Sequence, residues 1–163
     1  MMRIGFGSDV HRLVPDRKLV LGGETIPFSK GLLGHSDADV LVHAVCDALL
    51  GAAALGDIGI HFPDSDPAYK NIFSIQLLKK TSLMIGQKGF AVWNLDATIF
   101  AEAPRLSPHY EKMKKNIADA LQIDPDMVNI KSTTTEGLGF TGIGEGIGAV
   151  CVCLIGLSKQ MQP

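Results

Sequence analysis

Residues 36–56, SDADVLVHAVCDALLGAAALG, decide how this chain folds. Within them Val40, Leu41, Ala44, Val45, Ala48, Leu49 and Ala52 recur at three- and four-residue steps, which places apolar side chains on one stripe of a helix. The spacing predicts a helix over Ala38 to Leu55, with a box-like start in Ser36 and Asp39 and a stop at Gly56. Asp39, His43 and Asp47 fall opposite the stripe, so the helix that builds the core also carries a line of polar groups.

On the amino-terminal side, Arg3 to Val10 alternates Ile4, Phe6 and Ser8 with Gly5, Gly7 and Asp9, a strand that hands over to a loop near Arg12. Leu19–Gly22 and Glu24–Pro27 read as a hairpin around Gly23. On the carboxyl side, a loop with Pro63 and Pro67 leads to a second helix, Ser74 to Lys88, closed by Gly89. Phe90 to Ala101 is rich in strand formers. Ser107 as cap with Pro108 at the first helical position opens a third helix to Leu121. Asp124-Pro125-Asp126 is a turn, and Val128–Thr135 and Gly146–Leu157 are strands. Strands interleaved with helices indicate an α/β or α+β sandwich, one mostly β layer with helices packed on it.

The 163 residues fit one domain spanning 1–163. Apolar residues make up 46% and charged residues 20%, enough core-forming surface to exclude intrinsic disorder. A net charge of −2 speaks against nucleic-acid or anionic-membrane partners, which require concentrated positive charge. The amino terminus has neither a secretory nor a transit pattern, and the longest apolar stretch, Gly146–Leu157, is too short and glycine-rich to span a bilayer, so the expected location is cytoplasmic. Cys46, Cys151 and Cys153 read as reduced core residues, with a Cys151/Cys153 metal pair as the alternative. Glycine is over-represented, 18 in all, and seven lie between Gly137 and Gly156.

Three groupings can carry chemistry. Asp9 and His11, two apart on an extended segment, project to the same face, and His43, one turn into the helix, can complete a ligand set that zinc accepts with a position left open. The same spacing also suits a hydrogen-bonded strand-end pair beside an unrelated helix histidine. Second, Lys131-Ser132-Thr133-Thr134-Thr135-Glu136 ends a strand in hydroxyls before a glycine turn, offering donors to phosphate oxygens and, in Glu136, a ligand for a hard divalent cation; ordinary strand propensity explains the threonines equally. Gly137, Gly139 and Gly142 also fit GxGxxG, but a β-like segment follows and no acidic residue lies about twenty positions on, against a dinucleotide site. Third, the loop Gly56 to Asp64 places Asp57 and Asp64 where ribose hydroxyls or bulk water could meet them.

Four ordered motifs resemble the 2-C-methyl-D-erythritol 2,4-cyclodiphosphate synthase family: SDVHRL (8–13), LLGHSDADVLVHAVCDALLGAAALGDIGIHFPD (32–64), AEAPRLSPH (101–109) and KSTTTEGLGFTGIGEG (131–146). The resemblance implies a mixed β-sheet with helices on one face, assembled as a homotrimer with active sites between subunits. It implies Zn2+ on Asp9, His11 and His43, and Mg2+ or Mn2+ on Glu136. His35 and Thr134 match catalytic positions; Ser36, Thr133 and Thr135 would contact phosphate, and Asp57, Ile58 and Gly59 the ribose region. Phe62-Pro63-Asp64-Ser65-Asp66, Phe140 and Ile143 fall at further substrate-contacting positions. Ala101-Glu102-Ala103-Pro104-Arg105-Leu106-Ser107 of a neighbouring subunit would form the cytosine pocket. The implied reaction is metal-dependent: a CDP-linked substrate cyclises with loss of CMP, in isoprenoid precursor biosynthesis by the non-mevalonate route. A zinc-stabilised binding module and a phosphate-ester hydrolase are the alternatives. Ile143 departs from the family, many of whose members have arginine there, which argues against isoprenoid-diphosphate binding along the trimer axis.

Overall fold

In the computed structural model, which describes residues 1–158, the chain runs β1 (Met2–Pro15), β2 (Leu19–Leu21), β3 (Glu24–Ile26), β4 (Lys30–Leu32), α1 (Val40–Ala52), α2 (Ile58–His61), α3 (Ser74–Gln87), β5 (Phe90–Phe100), α4 (Tyr110–Leu121), β6 (Val128–Thr133), α5 (Gly139–Gly142) and β7 (Gly146–Leu157). Five strands form a mixed sheet in the order β4-β1-β7-β5-β6, and β2 and β3 form a separate ribbon. All neighbours in the sheet are antiparallel except β5 and β6. Parallel neighbours need a crossover, and α4 supplies it. Helices α1, α3 and α4 cover one face; on the other, Ile4, Phe6, Val10 and Val152 stand exposed.

The periodic readings hold for the core elements, and their ends move for local reasons. β1 runs on to Pro15 because its last residues pair with β4, a three-residue strand without a sequence signal of its own. α1 begins at Val40, since Ala38 sits at φ 57°, and is capped by Asp39 rather than entered through Ser36. At its other end Ala54, at φ 55°, breaks the helix before Leu55. Ser107 is not a helix cap: Ser107–His109 is a 3-10 turn ahead of α4, and the Ser107 hydroxyl instead accepts a hydrogen bond from Arg105. β6 stops at Thr133, and a one-turn helix, α5, separates the glycine turn from β7, where a β-like segment was expected to follow directly. In β5 a bulge between Val92 and Asn94 shifts the alternation by one residue. Phe90 and Val92 before it, and Leu95, Ala97 and Ile99 after it, therefore all face the core.

α1 is buried nearly all round, with ten of its 13 residues inside rather than one stripe. It lies on the sheet without side chains between: a methyl group on Gly5 would overlap the carbonyl oxygen of Ala48, and one on Gly7 that of Ala44. Asp39, completely buried, accepts hydrogen bonds from the amides of Gly22 (2.9 Å), Gly23 (2.7 Å) and Val42 (3.1 Å), so one carboxylate caps α1 and ties the β2–β3 ribbon to it. Burial and the neighbouring charge of Asp37 push its carboxyl up to about 6 despite the three amides. The three cysteines are free and buried, as expected, and burial pushes the Cys46 thiol up to about 12, which keeps it protonated and inert.

Gly7→Ala is expected to lower unfolding free energy by about 1–3 kcal/mol, because the strand or the helix must give way. Gly86→Ala, in α3 with nothing within 4 Å of the added carbon, is expected to stabilise by about 0.5–1 kcal/mol. Urea unfolding of the two variants checks both signs.

Candidate metal centre and its cavity

Asp9 and His11 alternate with the exposed residues of β1, so both side chains point to the side on which α1 lies. The glycine contact draws α1 onto β1 and brings His43 over them. The Asp9 Oδ2 is 2.9 Å from His11 Nε2 and 3.0 Å from His43 Nδ1, and the two ring nitrogens are 3.2 Å apart. One oxygen and two nitrogens thus meet at a single half-buried point, the one such grouping of ligand side chains among the described residues.

The far ring nitrogens are engaged as well. His11 donates from Nδ1 to the carbonyl of Leu33 at 2.8 Å, so Nε2 is the nitrogen turned to Asp9 and His43, donating to Asp9 when protonated and free to ligate when not. The His43 Nε2 lies 2.9 Å from Ser74 Oγ and 3.2 Å from Ser36 Oγ. A carboxylate and two imidazoles oriented from behind form a donor set suited to Zn2+. Burial alone would raise the Asp9 carboxyl, but hydrogen bonds and charge from His11 and His43 outweigh it and hold that carboxyl well below the usual carboxylate range. For His11, burial opposes protonation and the Asp9 carboxylate wins, raising the imidazole above its ordinary value.

A cavity of about 340 Å³ opens beside the cluster. It brings together the predicted residues Asp9, His35, Ser36, His43, Ile58, Gly59, Phe62, Pro63 and Asp64. Asp57 caps α2 through the Ile60 amide (3.0 Å), which fixes the loop at the cavity rim. The other predicted groups lie apart. Glu136 is exposed, at φ 53°, and its carboxylate accepts a hydrogen bond from Thr134 at 3.2 Å. Thr135 and Phe140 share a small depression with Asp9 on β1, and Glu102, Ala103 and Ile143 line another. The Ala101 amide donates to the carbonyl of Thr133, so the 101–107 and 133–136 segments are neighbours of each other.

Sequence reasoning gave no role to Asp47, Tyr69, Ile72, Leu77, Asp37 or Ser74. Asp47 lines the cavity, accepts from the Ile58 amide at 2.8 Å, and has its carboxyl raised by burial and by Asp57 and Asp9. Its place one turn beyond His43 was the available signal. Tyr69, Ile72 and Leu77 give the cavity its apolar wall.

The pattern of the YgbB family matches residues 2–156. The 2-C-methyl-D-erythritol 2,4-cyclodiphosphate synthase of Desulfatibacillum aliphaticivorans is 62% identical over 154 residues, covering 94% of this chain and 99% of that protein. The protein of the same name from Clostridium botulinum (strain Kyoto / Type A2) is 61% identical over 154 residues, with the same coverage, 94% and 99%. Among solved structures, the bifunctional IspDF of Campylobacter jejuni superposes with a TM-score of 0.95 at 40% identity; the match covers 99% of this chain and 44% of that one, so this chain spans less than half of the bifunctional protein. The CDP complex of Plasmodium falciparum IspF superposes with a TM-score of 0.85 at 31% identity over 97% of each chain.

In the metal-free protein the lowered Asp9 carboxyl contributes stability that is present above its ordinary 3.8 and lost as pH falls. The raised His11 contributes stability that is full below its ordinary 6.5 and lost as pH rises through its folded value. The stability difference between the chelator-treated wild type and Asp9→Asn is therefore expected to be largest between pH 3.8 and 6.5 and to shrink on both sides, as read by urea unfolding across pH. Zinc affinity is expected to rise with pH, as fewer protons compete for His11.

Proposed function

The chain belongs to the YgbB family, and from that membership we propose that it converts 4-diphosphocytidyl-2-C-methyl-D-erythritol 2-phosphate to 2-C-methyl-D-erythritol 2,4-cyclodiphosphate with release of CMP, as a phosphorus–oxygen lyase of isoprenoid precursor biosynthesis. The observation that carries this reading is the meeting of Asp9, His11 and His43 at one point beside a cavity lined by His35 and Ser36. Residues 1–163 then form one cyclodiphosphate synthase domain. Among the described residues no helix is long and apolar enough to cross a membrane, which is compatible with the cytoplasmic location we assign.

In this reaction an oxygen of the 2-phosphate attacks the β-phosphorus of the same molecule, the new P–O bond closes the ring, and the bond to the α-phosphate breaks to release CMP. Nucleophile and leaving group are joined, so the protein's task is to fold the substrate into an in-line arrangement and balance its charge. A phosphate nucleophile is already ionised at neutral pH, and no side chain has to remove a proton. Asp9, His11 and His43 would hold Zn2+ and Glu136 would hold Mg2+ or Mn2+, each supplying Lewis-acid charge neutralisation when bound. His35 and Ser36 line the cavity and would bind phosphate oxygens, and Thr133, Thr134 and Thr135 would offer hydroxyls, with His35 and Thr134 serving the transition state. Asp57 and Gly59 receive the ribose.

Asp9, Ala149, Ile99 and Ser132 form one row across β1, β7, β5 and β6. Three interstrand spacings put Ser132 about 14 Å from Asp9. Thr133, Thr134, Glu136 and the 101–107 cytosine segment would therefore serve a neighbouring copy's metal cluster, whereas Thr135 shares a depression with the Asp9 of its own chain. The exposed Ile4, Phe6, Val10 and Val152 on the uncovered sheet face are suited to the core of a homotrimer. Ile143, 66% exposed, brings no charge to that assembly, and we assign its axis little affinity for isoprenoid diphosphates.

Protein incubated with substrate and Mg2+ is expected to give the 31P NMR signals of CMP and a cyclic diphosphate, abolished by chelation and by Asp9→Ala, which should also lose bound zinc by elemental analysis. Unchanged substrate with a zinc-loaded, folded protein would favour a binding module; released orthophosphate would favour a hydrolase. Light scattering is expected to give a trimer, and activity in a proven monomer would overturn the shared site.

A further inference from the structure

Behind His43, away from the cavity, two residues without a role in the reaction above are joined to it by hydrogen bonds. Ser74, the first residue of α3 and fully buried, lies with its Oγ 2.9 Å from His43 Nε2. The Ser74 hydroxyl bonds Asp37 Oδ1, and the Ser74 amide donates to Asp37 Oδ2 at 3.0 Å. Asp37 Oδ1 also takes the amide of Asp39, at a longer 3.3 Å.

The direction of this chain is fixed at its far end. A carboxylate only accepts, so the Ser74 proton goes to Asp37, and the Ser74 oxygen is left to accept from His43. With the Ser74 oxygen accepting, Nε2 is held as the donor nitrogen of neutral His43 and Nδ1 is left to a cation; in the metal-free protein the Asp9 carboxylate, 3.0 Å from Nδ1, is the acceptor that competes for the same proton. Ser36 Oγ, 3.2 Å from Nε2, takes the Ala38 amide at 3.0 Å and is a second acceptor within reach.

We infer that Asp37 and Ser74 are positioning residues of the metal centre, setting the His43 tautomer that leaves Nδ1 free to ligate. This rests on the zinc reading proposed above. The alternative is that the pair merely docks the start of α3 against the preceding loop.

The two roles part at Asp37→Asn. The Ser74 amide cannot reverse, whereas the hydroxyl can, so the asparagine oxygen stays on the amide and its NH2 turns to Ser74 Oγ. The number of hydrogen bonds at the start of α3 is kept and only the long Asp39 amide contact to Oδ1 is lost, but the Ser74 proton now points at His43 Nε2. That favours the proton on Nδ1, the wrong nitrogen for a metal. Ser74→Ala is milder, since Ser36 can still accept from Nε2.

The test is zinc affinity by competition with a chromophoric chelator, with the visible spectrum of the Co2+ form and urea unfolding of the metal-free proteins alongside. Asp37→Asn is expected to bind zinc about 10–100-fold more weakly with an altered Co2+ spectrum. Ser74→Ala is expected to lose less, and the double variant to recover to the Ser74→Ala level, because no hydroxyl is left to point the wrong way. Zinc affinity in Asp37→Asn within threefold of wild type, or a double variant weaker than Asp37→Asn alone, overturns the inference. A variant that does not fold shows the docking role to dominate and also overturns it. Failure of the wild type itself to bind zinc defeats the metal reading instead.

Discussion

The close approach of α1 to β1 is the constraint on which the rest of the structure depends. Gly5 and Gly7 remove the side chains that would keep a helix at the ordinary distance from a sheet, and Ala44 and Ala48 present little more than backbone in return. His43 is rigidly attached to that helix, and Asp9 follows Gly7 by two residues on the strand. The separation of 3.0 Å between their side chains is thus inherited from a contact with no catalytic chemistry of its own. Burial of α1 on all sides then forbids the sliding or rolling that would spoil the geometry. Asp39 fixes the remaining freedom, because the helix cannot move along its axis without leaving the amides of Gly22 and Gly23.

Much of this is legible in the sequence, though unevenly. The period of α1, the alternation of β1 and the strand formers of β5 are strong signals, and they place Asp9, His11 and His43 on elements whose faces can meet. The spacing of Gly5 and Gly7 is equally visible, yet it reads only as strand alternation, since nothing in a local pattern says that a helix forty residues away needs the space. Element ends were lost to backbone conformation: Ala38, fully buried, and Ala54, exposed at the helix end, adopt left-handed φ values that alanine seldom takes. The three-residue β4 exists only because β1 offers it an edge.

The same division runs through the site. Residues that share a motif with a neighbour in sequence were found: the Asp9–His11 pair, His35 with Ser36, and the loop from Asp57 to Asp64. Residues whose meaning comes from a partner far along the chain were not. Ser74 reads as an ordinary helix start, and Asp37 as one more carboxylate in a polar stretch, until α3 brings the first against His43 and the second against the first. The Thr133–Thr135 hydroxyls and the 101–107 segment illustrate a third case. Their types suit the chemistry, but the sheet register separates Ser132 from Asp9 within one chain.

The metal cluster also bears on how long the folded chain endures. Its candidate ligands come from a strand and a helix that meet where Gly5 and Gly7 face Ala48 and Ala44. An ion held between Asp9, His11 and His43 would bridge that seam as a removable cross-link. Ligand binding at a thousand times the dissociation constant adds about 4 kcal/mol to unfolding free energy, comparable with the whole margin of many domains. Stripped of such an ion the chain would lose that cross-link, and the burial of α1 and the bonds of Asp39 to the β2–β3 ribbon would be left to hold the helix on the sheet.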